Sequence, residues 1–343
     1  MNSLCEKYLA LRDEYLSRLV MNDLSENTVQ NYRNVLDRFG DFLCEHEQPD
    51  EFVAVAAWQK HLFQSGLSPS TIRQYLIVLQ IFFSAASHRS YPQEIRFEEC
   101  PVDKTMFPKV VKRPYEQILT DDQVKMLFEN SAPKGYSRTW AKNYCMIQLL
   151  MNEKIRNAEL LDLRLSDIDM IHHVLTVRSG KGRKWREVDL CELSEFAIEQ
   201  YLDSGLRPAY LDDDDYLFGT TASHEFGNHG GRVAHEKWHR GTKTWLSNIV
   251  ERTVYAVTGV HDVRSHDLRH VGSRVCLNAG QSMEELQGQL GHSQITTTQI
   301  YSGRMMSRRN RDSAKSVLQA REQIAQRLKR ENEQSGKVVA LYA

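Results

Sequence analysis

The chain has 343 residues, 41% hydrophobic and 26% charged, a composition typical of a soluble globular protein with room for two domains. No apolar run approaches the roughly 18 residues that would cross a bilayer, and the N-terminal MNSLCEKYLALRDEYL mixes charged with apolar residues, unlike a secretion signal. The six cysteines are scattered without a CxxC pair, so we expect free thiols in a reducing, cytoplasmic compartment, with no disulfide framework, zinc site or membrane partner.

The formal net charge of −1 conceals an asymmetry along the chain. Residues 1–108 carry 10 basic and 15 acidic side chains, whereas the segment after Tyr301 carries 10 basic and 4 acidic ones. A basic block of this kind either meets phosphate or forms the solvated face of a helix. Charge alone therefore neither establishes nor excludes a nucleic-acid partner.

The first hundred residues predict four helices. The second helix has apolar residues at a spacing of three to four that forms one face: Val29, Tyr32, Leu36, Phe39 and Leu43. The segment FVAVAAWQKHLFQSG predicts a shorter helix that ends at Gly66, and the next helix begins with Ser68 as N-cap and Pro69 in its first turn. The pattern indicates a small all-helical domain over residues 1–105.

Three of the eight prolines, at positions 101, 108 and 114, fall within 14 residues. Because proline lacks an amide proton and disfavours helix in its neighbour, we expect an extended linker over 106–118. Helix restarts in LTDDQVKMLFENS with Thr120 as N-cap. A second domain is therefore predicted over 119–343.

The second domain reads as mainly helical with one hairpin. HHVLTVRSGKGRKWREVDL has the β-branched alternation and glycine-rich turn of two paired strands. Residues 219–240 are rich in Gly and His and predict a long loop. SMEELQGQL predicts a helix ended by Gly291, and SAKSVLQAREQIAQRLKRENEQ predicts a basic C-terminal helix.

One motif suggests a metal. HEKWH, from His235 to His239, matches H-E-x-x-H, which on a helix binds zinc with Glu236 as general base. The pattern fixes only three positions, and the preceding NHGGRVA is poor helix. We favour a solvent-facing loop and no metal, and keep a zinc hydrolase as an alternative.

Several polar residues are candidates for phosphate chemistry. Arg156 and Glu159 are three apart at a helix start in NEKIRNAELLDLRLSDID, where an arginine is either a salt-bridge partner or an anion ligand. Lys181 lies at the hairpin tip, where a lysine is usually only solvated. His266 and Arg269 share a helix face in SHDLRH and together suit a phosphate.

The order of these residues is more specific than any one of them. Arg156, Lys181, His266-x-x-Arg269, and then LGHSQITTTQIYSG with His292 and Tyr301, resemble the tyrosine recombinase (phage integrase-like) family over the whole chain. The resemblance implies a mainly α fold with a small β-sheet. It also implies a helical, SAM-like core-binding domain and a mixed α/β catalytic domain that form a C-shaped clamp on DNA.

The resemblance also implies a role for each residue. Tyr301 would attack a DNA phosphate and form a 3′-phosphotyrosine, while two arginines neutralise the phosphate and His266 accepts the phenol proton. The remaining assignments are the general acid Lys181, a hydrogen bond to the phosphate from His292, an orienting role for Glu159, and DNA contacts from Lys109, Lys112, Arg113 and Lys184.

The family implies a reaction without metal, ATP or other cofactor, performed by a homotetramer on two paired double-stranded DNA sites with protomers linked by C-terminal tails. Expected roles are integration and excision of a mobile element or resolution of replicons. A catalytically idle DNA-binding regulator is an alternative. Two features depart from the family pattern: Lys154 stands where a glycine is usual and is a candidate for an added phosphate contact, and 219–240 resembles an insertion.

Overall fold

The computed structural model describes most of the chain: residues 3–22, 24–91, 93, 96–110, 118–178, 185–221, 238–291 and 308–334. It divides into two compact units at Arg113–Pro114. Among the described residues, none of the helices has the length and apolarity needed to cross a membrane.

The first unit contains the four predicted helices: α1 Ser3–Met21, α2 Glu26–Glu45, α3 Glu51–Gln64 and α4 Pro69–Ala86. The apolar face predicted for α2 is buried except for Tyr32, which is partly buried. Ser68 caps α4 by accepting a hydrogen bond from the Thr71 amide, and Gly66 has a φ of 74° beyond the end of α3. Local sequence signals thus set where these helices begin and end.

The prediction of free thiols is wrong for two of the six cysteines. Cys5 of α1 and Cys44 of α2 form a disulfide, with their Cα atoms 5.5 Å apart. Helix α2 packs along α1, and the Tyr8 hydroxyl of α1 donates to the Leu36 carbonyl of α2 at 2.8 Å. This pairing depends on how the two helices pack, so the 39-residue separation in sequence gave no sign of it. The other four cysteines are free: Cys100, Cys145, Cys191 and Cys276.

The second unit surrounds an almost completely buried helix. Its elements are α5 Asp121–Phe128, α6 Trp140–Asn152, α7 Asn157–Asp162, β1 Ile168–Asp169, β2 Val174–Val177, β3 Arg186–Asp189, α8 Glu192–Asp203, β4 Gly219–Thr221, β5 Trp238–Arg240, α9 Lys243–Thr258, α10 Ser265–Ala279, α11 Met283–Leu290 and α12 Arg308–Gln334. The buried helix is α6, which packs against α8 and α10. Thr120 caps α5 as predicted.

Helices α6 and α10 are in close contact at Gly272. A Cβ atom at this position would lie 1.8 Å from the Met151 carbonyl oxygen. Only glycine allows this backbone separation without a shift of one helix. The contact holds the middle of α10 against the end of α6, where the candidate site begins.

The predicted hairpin is present as the antiparallel pair β2–β3, with Val177 opposite Arg186, and β1 extends it to three strands. Its tip, with Lys181 and Lys184, lies outside the described residues. The loop predicted over 219–240 is incorrect at both ends, because β4 and β5 pair there. Three-residue strands are too short to show the alternation by which strands are recognised.

The C-terminal helix α12 packs along α5, α8 and α10 of its own unit. Its buried residues recur at helical spacing: Ala314, Val317, Ile324, Ala325 and Leu328. The prediction of a basic helix in this region is confirmed. The apolar segment VVALYA lies beyond the described residues.

Candidate active site

The site begins at the turn that follows α6. Lys154 adopts a left-handed conformation with φ 55°, which glycine adopts without steric cost. Its buried ammonium donates to the Asn152 carbonyl at 2.6 Å and to the Gln289 side chain at 3.2 Å. The described contacts of Lys154 therefore lie within the fold, and its added phosphate contact remains a prediction.

The buried carboxylate of Glu153 links this turn to the start of α8. Glu153 accepts hydrogen bonds from the Cys191 amide at 3.1 Å and the Ser194 hydroxyl at 2.8 Å. Burial raises its pKa to about 7 despite these bonds and the nearby positive charge of Lys154. The turn thus rests on polar contacts to the start of α8.

Arg156 lies at the N-terminus of α7 and is paired with Glu159, which is one of the two roles that the sequence left open. Its Nη1 donates to Glu159 Oε1 at 2.8 Å, its backbone amide donates to Oε2 at 2.7 Å, and its Nη2 donates to the Gly291 carbonyl at 3.0 Å. The Arg156 side chain is 38% exposed and the Glu159 side chain 1%. The arginine is therefore anchored at one side and accessible at the other.

Arg186 is a member of the site that sequence reasoning missed. Its Nη1 and Nη2 each donate to one Glu159 oxygen at 2.8 Å, and its Nε donates to the Gln289 carbonyl at 3.2 Å. Burial favours a raised pKa for Glu159, but the hydrogen bonds from Arg186 and Arg156 outweigh it and hold the pKa below its usual range. A signal was present in REVD: strand alternation puts Arg186 on the same face as the buried Val188, where an arginine needs a carboxylate.

Arg269 lies on α10 and is buried beneath the turn. Its Nη1 donates to the Lys154 carbonyl, and its Nη2 donates to the Leu290 carbonyl at 2.8 Å. Gly291, with φ 61°, ends α11 as predicted, and a Cβ there would lie 3.1 Å from the Arg186 guanidinium. Arg156, Arg186 and Arg269 thus all contact the last residues of α11.

His266 lies one turn before Arg269, in the first turn of α10. Burial, followed by the positive charges of Arg269 and Arg156, lowers its pKa, so the imidazole is neutral near pH 7 and able to accept a proton. The rings of His266 and His270 meet edge to face with centroids 4.4 Å apart. Burial, followed by His266, lowers the pKa of His270 to about 4.

The remaining candidates are placed as follows. Lys109 is described and exposed. Outside the described residues lie Lys112, Arg113, Lys181, Lys184, His292 and Tyr301. The chain leaves the described region at Gly291, directly before His292 and directly after the contacts with the three arginines.

The zinc motif is only partly described. Trp238 and His239 belong to strand β5 and not to a helix, while 235–237 lie outside the described residues. Within the described part of the chain, no group of three or more His, Cys, Asp or Glu side chains is arranged to hold a metal. A helical H-E-x-x-H site is therefore not formed at its second histidine.

Comparison with known proteins matches both units. Residues 117–308 match the phage integrase family, and residues 11–93 match the phage integrase N-terminal SAM-like domain. Tyrosine recombinase XerC of Oceanobacillus iheyensis is 30% identical over 312 residues, covering 88% of this chain and 92% of that protein. Tyrosine recombinase XerD of Vibrio cholerae is 28% identical over 283 residues, covering 81% and 86%.

Solved structures show the same fold. The Tn1549 transposon integrase in complex with a circular intermediate DNA aligns with a TM-score of 0.63 at 19% identity, covering 93% of this chain and 99% of that one. The XerH site-specific recombinase bound to its difH substrate aligns with a TM-score of 0.62 at 19% identity, covering 84% and 79%. From the family match and the XerC similarity, the chain belongs to the phage integrase family of tyrosine recombinases.

Proposed function

We propose that this protein is a site-specific DNA recombinase that cleaves and exchanges strands through a 3′-phosphotyrosine intermediate. The observation that supports the proposal is the cluster in which Arg156 and Arg269 lie beside a neutral His266. Two guanidinium groups suit the charge that develops on a phosphodiester in the transition state. The neutral imidazole suits removal of a proton from an attacking phenol.

In this proposal Tyr301 is the nucleophile, because its ester with the 3′ phosphate conserves the bond energy for religation without ATP. Lys181 protonates the departing 5′ oxygen, and His292 donates a hydrogen bond to the phosphate. Glu159 orients Arg156. In the reverse direction the 5′ hydroxyl of a partner strand gives its proton to the neutral Lys181 and attacks the phosphotyrosine, and the phenol leaves and regains its proton from His266.

The proposed partner is double-stranded DNA, with Lys109, Lys112, Arg113 and Lys184 on its phosphates. The recombinases XerH and Tn1549 integrase are described as bound to DNA, which supports this partner. The biological setting we propose is a mobile element or replicon resolution. A catalytically idle regulator of the same fold is less favoured, since the arginines and His266 retain the arrangement described above.

The test is a covalent trap. Sites are first mapped by sequencing genomic DNA attached to protein after denaturation, and a nicked suicide substrate is built from one site. We expect the protein to become joined to the 3′ side of the break in buffer containing a metal chelator. DNA binding without any adduct would instead favour the regulator, and an adduct that requires zinc would contradict the proposal.

The pH dependence of cleavage tests the role of His266. Because folding lowers its pKa below the ordinary value of about 6.5, the neutral base persists to lower pH. We expect the single-turnover adduct rate to rise with pH, with the midpoint of the rise below the ordinary histidine pKa of about 6.5. The His266→Gln variant should be slow and lose this rise. A rise that survives in His266→Gln would assign it to another group.

Assembly on paired sites is proposed to use the segment after α12. Since the buried contacts of α12 end at Leu328, removal of residues 335–343 leaves them in place. We expect this deletion to weaken tetramer formation on two sites by about tenfold or more, because apolar side chains that the tail would bury are lost. Binding to a single site should be retained. Gel-shift titration measures both, and equal loss of the two would contradict exchange of tails.

A further inference from the structure

We propose that Arg186 is a positioning residue that keeps the guanidinium of Arg156 available for the scissile phosphate. The inference rests on the proposed function and adds a residue to it. Its basis is the way in which two arginines share one buried carboxylate. Arg186 itself is 15% exposed at its side chain, against 38% for Arg156, so Arg156 is the more accessible of the pair.

The two arginines bind Glu159 in different ways. Arg186 uses both terminal nitrogens, one on each carboxylate oxygen, in the parallel geometry that is strongest for an arginine–carboxylate pair. Arg156 uses only Nη1 of its side chain on this carboxylate, beside its backbone amide. Arg186 therefore binds both oxygens of the Glu159 carboxylate, and the Arg156 side chain makes a single hydrogen bond to it.

This division leaves donors for a ligand. A guanidinium carries five N–H groups, and within the described residues Arg156 engages Glu159 through Nη1 and Gly291 through Nη2. Without Arg186, the buried carboxylate would retain one arginine. The most stable arrangement would then have both terminal nitrogens of Arg156 bonded to Glu159 and turned away from the exposed side.

Arg186 also connects the hairpin to the end of α11. It opens β3, the strand that follows the hairpin tip with Lys181, and its Nε contacts the Gln289 carbonyl, three residues before His292. Close approach of its guanidinium to Gly291 is possible because glycine has no Cβ. One side chain thus links the carboxylate that orients Arg156 with the two segments that carry Lys181 and His292.

The experiment measures single-turnover adduct formation on the suicide substrate and, separately, the Kd for a single site. For Arg186→Gln we expect the saturated rate to fall on the order of 100-fold, the scale for a misplaced catalytic group, with Kd changed less than threefold. Arg186→Lys keeps the charge without the two-pronged geometry and should recover only part of the rate. It also serves as the folded variant if Arg186→Gln is unstable.

The matched control is Arg274→Gln on α10. Arg274 pairs with Asp121 at 3.0 Å and is also 15% exposed at its side chain, but it belongs to the contact with α5. After correction for the folded fraction, the adduct rate of Arg274→Gln should be within about threefold of the wild-type rate, a margin that allows for small effects of distant sites. An equal fall in Arg274→Gln and Arg186→Gln would overturn the inference, since both would then reflect general destabilisation.

A double-mutant cycle with Glu159→Gln tests the path of the effect. If Arg186 acts through Glu159, the double variant should be no slower than the slower single variant. Additive losses, or a wild-type rate in Arg186→Gln, would overturn the inference. Because each comparison requires that the wild-type protein forms the adduct, failure of the proposed function appears separately, as no adduct in any variant.

Discussion

Replacement of Tyr301 by phenylalanine is expected to abolish the covalent adduct while DNA binding is retained. The substitution removes the one oxygen that can form the phosphotyrosine bond and leaves the ring. Loss of a nucleophile lowers rates by at least about 10⁴-fold in enzymes where it has been measured. The measurement is denaturing gel electrophoresis of the suicide substrate after incubation with each protein, together with a gel shift for Kd.

Tyr255→Phe is the control for this experiment. Tyr255 is one of the exposed tyrosines, at 46%, and its ring stacks on His261 of the same unit. It should form the adduct at the wild-type rate. An adduct in Tyr301→Phe would show that another group attacks, and the proposed nucleophile would be wrong.

Replacement of Gly272 by alanine is expected to destabilise the second unit strongly. The new methyl group would lie 1.8 Å from the Met151 carbonyl oxygen, which is backbone and cannot rotate away. Forced overpacking costs about 3 kcal/mol. For a unit of this size we expect the melting temperature to fall by roughly 6–12 °C, as measured by circular dichroism.

The matched substitution is Gly288→Ala on α11, where no atom of the described residues, apart from the helix's own backbone and the two chain neighbours, lies within 4 Å of the new Cβ. Alanine in a helix interior is favoured over glycine by roughly 0.5–1 kcal/mol, so this variant should be at least as stable as the wild type. A Gly272→Ala variant as stable as Gly288→Ala would mean that α6 and α10 yield without strain. Because Met151 directly precedes the turn with Lys154 and Arg156, we also expect slower cleavage from Gly272→Ala.

Sequence was most informative where the determinants are local. The caps at Ser68 and Thr120, and the turn at Gly291, each depend on a few neighbouring residues, and the structure agrees with all three. Features that depend on chain packing were not visible. The strands β4 and β5 are one example, since each is defined only by a partner some twenty residues away.

The candidate site divides in the same way. Arg156 and Glu159 are three residues apart, as the N-cap and the third residue of α7, so their pairing is a local contact. Arg186 reaches the same carboxylate from a strand 27 residues further along, and only the fold brings it there. The tight contact at Gly272 also could not be predicted from the sequence, because a glycine within a helix does not by itself indicate a close contact with another helix.

The contacts of α11 have an electrostatic consequence. Lys154, Arg156, Arg186 and Arg269 are four cations in one small region, and they outnumber the two buried carboxylates beside them, Glu153 and Glu159. In the absence of DNA the carbonyl ends of α11 supply the compensating negative dipole. A phosphate at this place competes with those carbonyls for the same donors. If the proposed phosphate binds here, its binding and the contacts of the arginines with the last turn of α11 are therefore linked equilibria, and a change in either shifts the other.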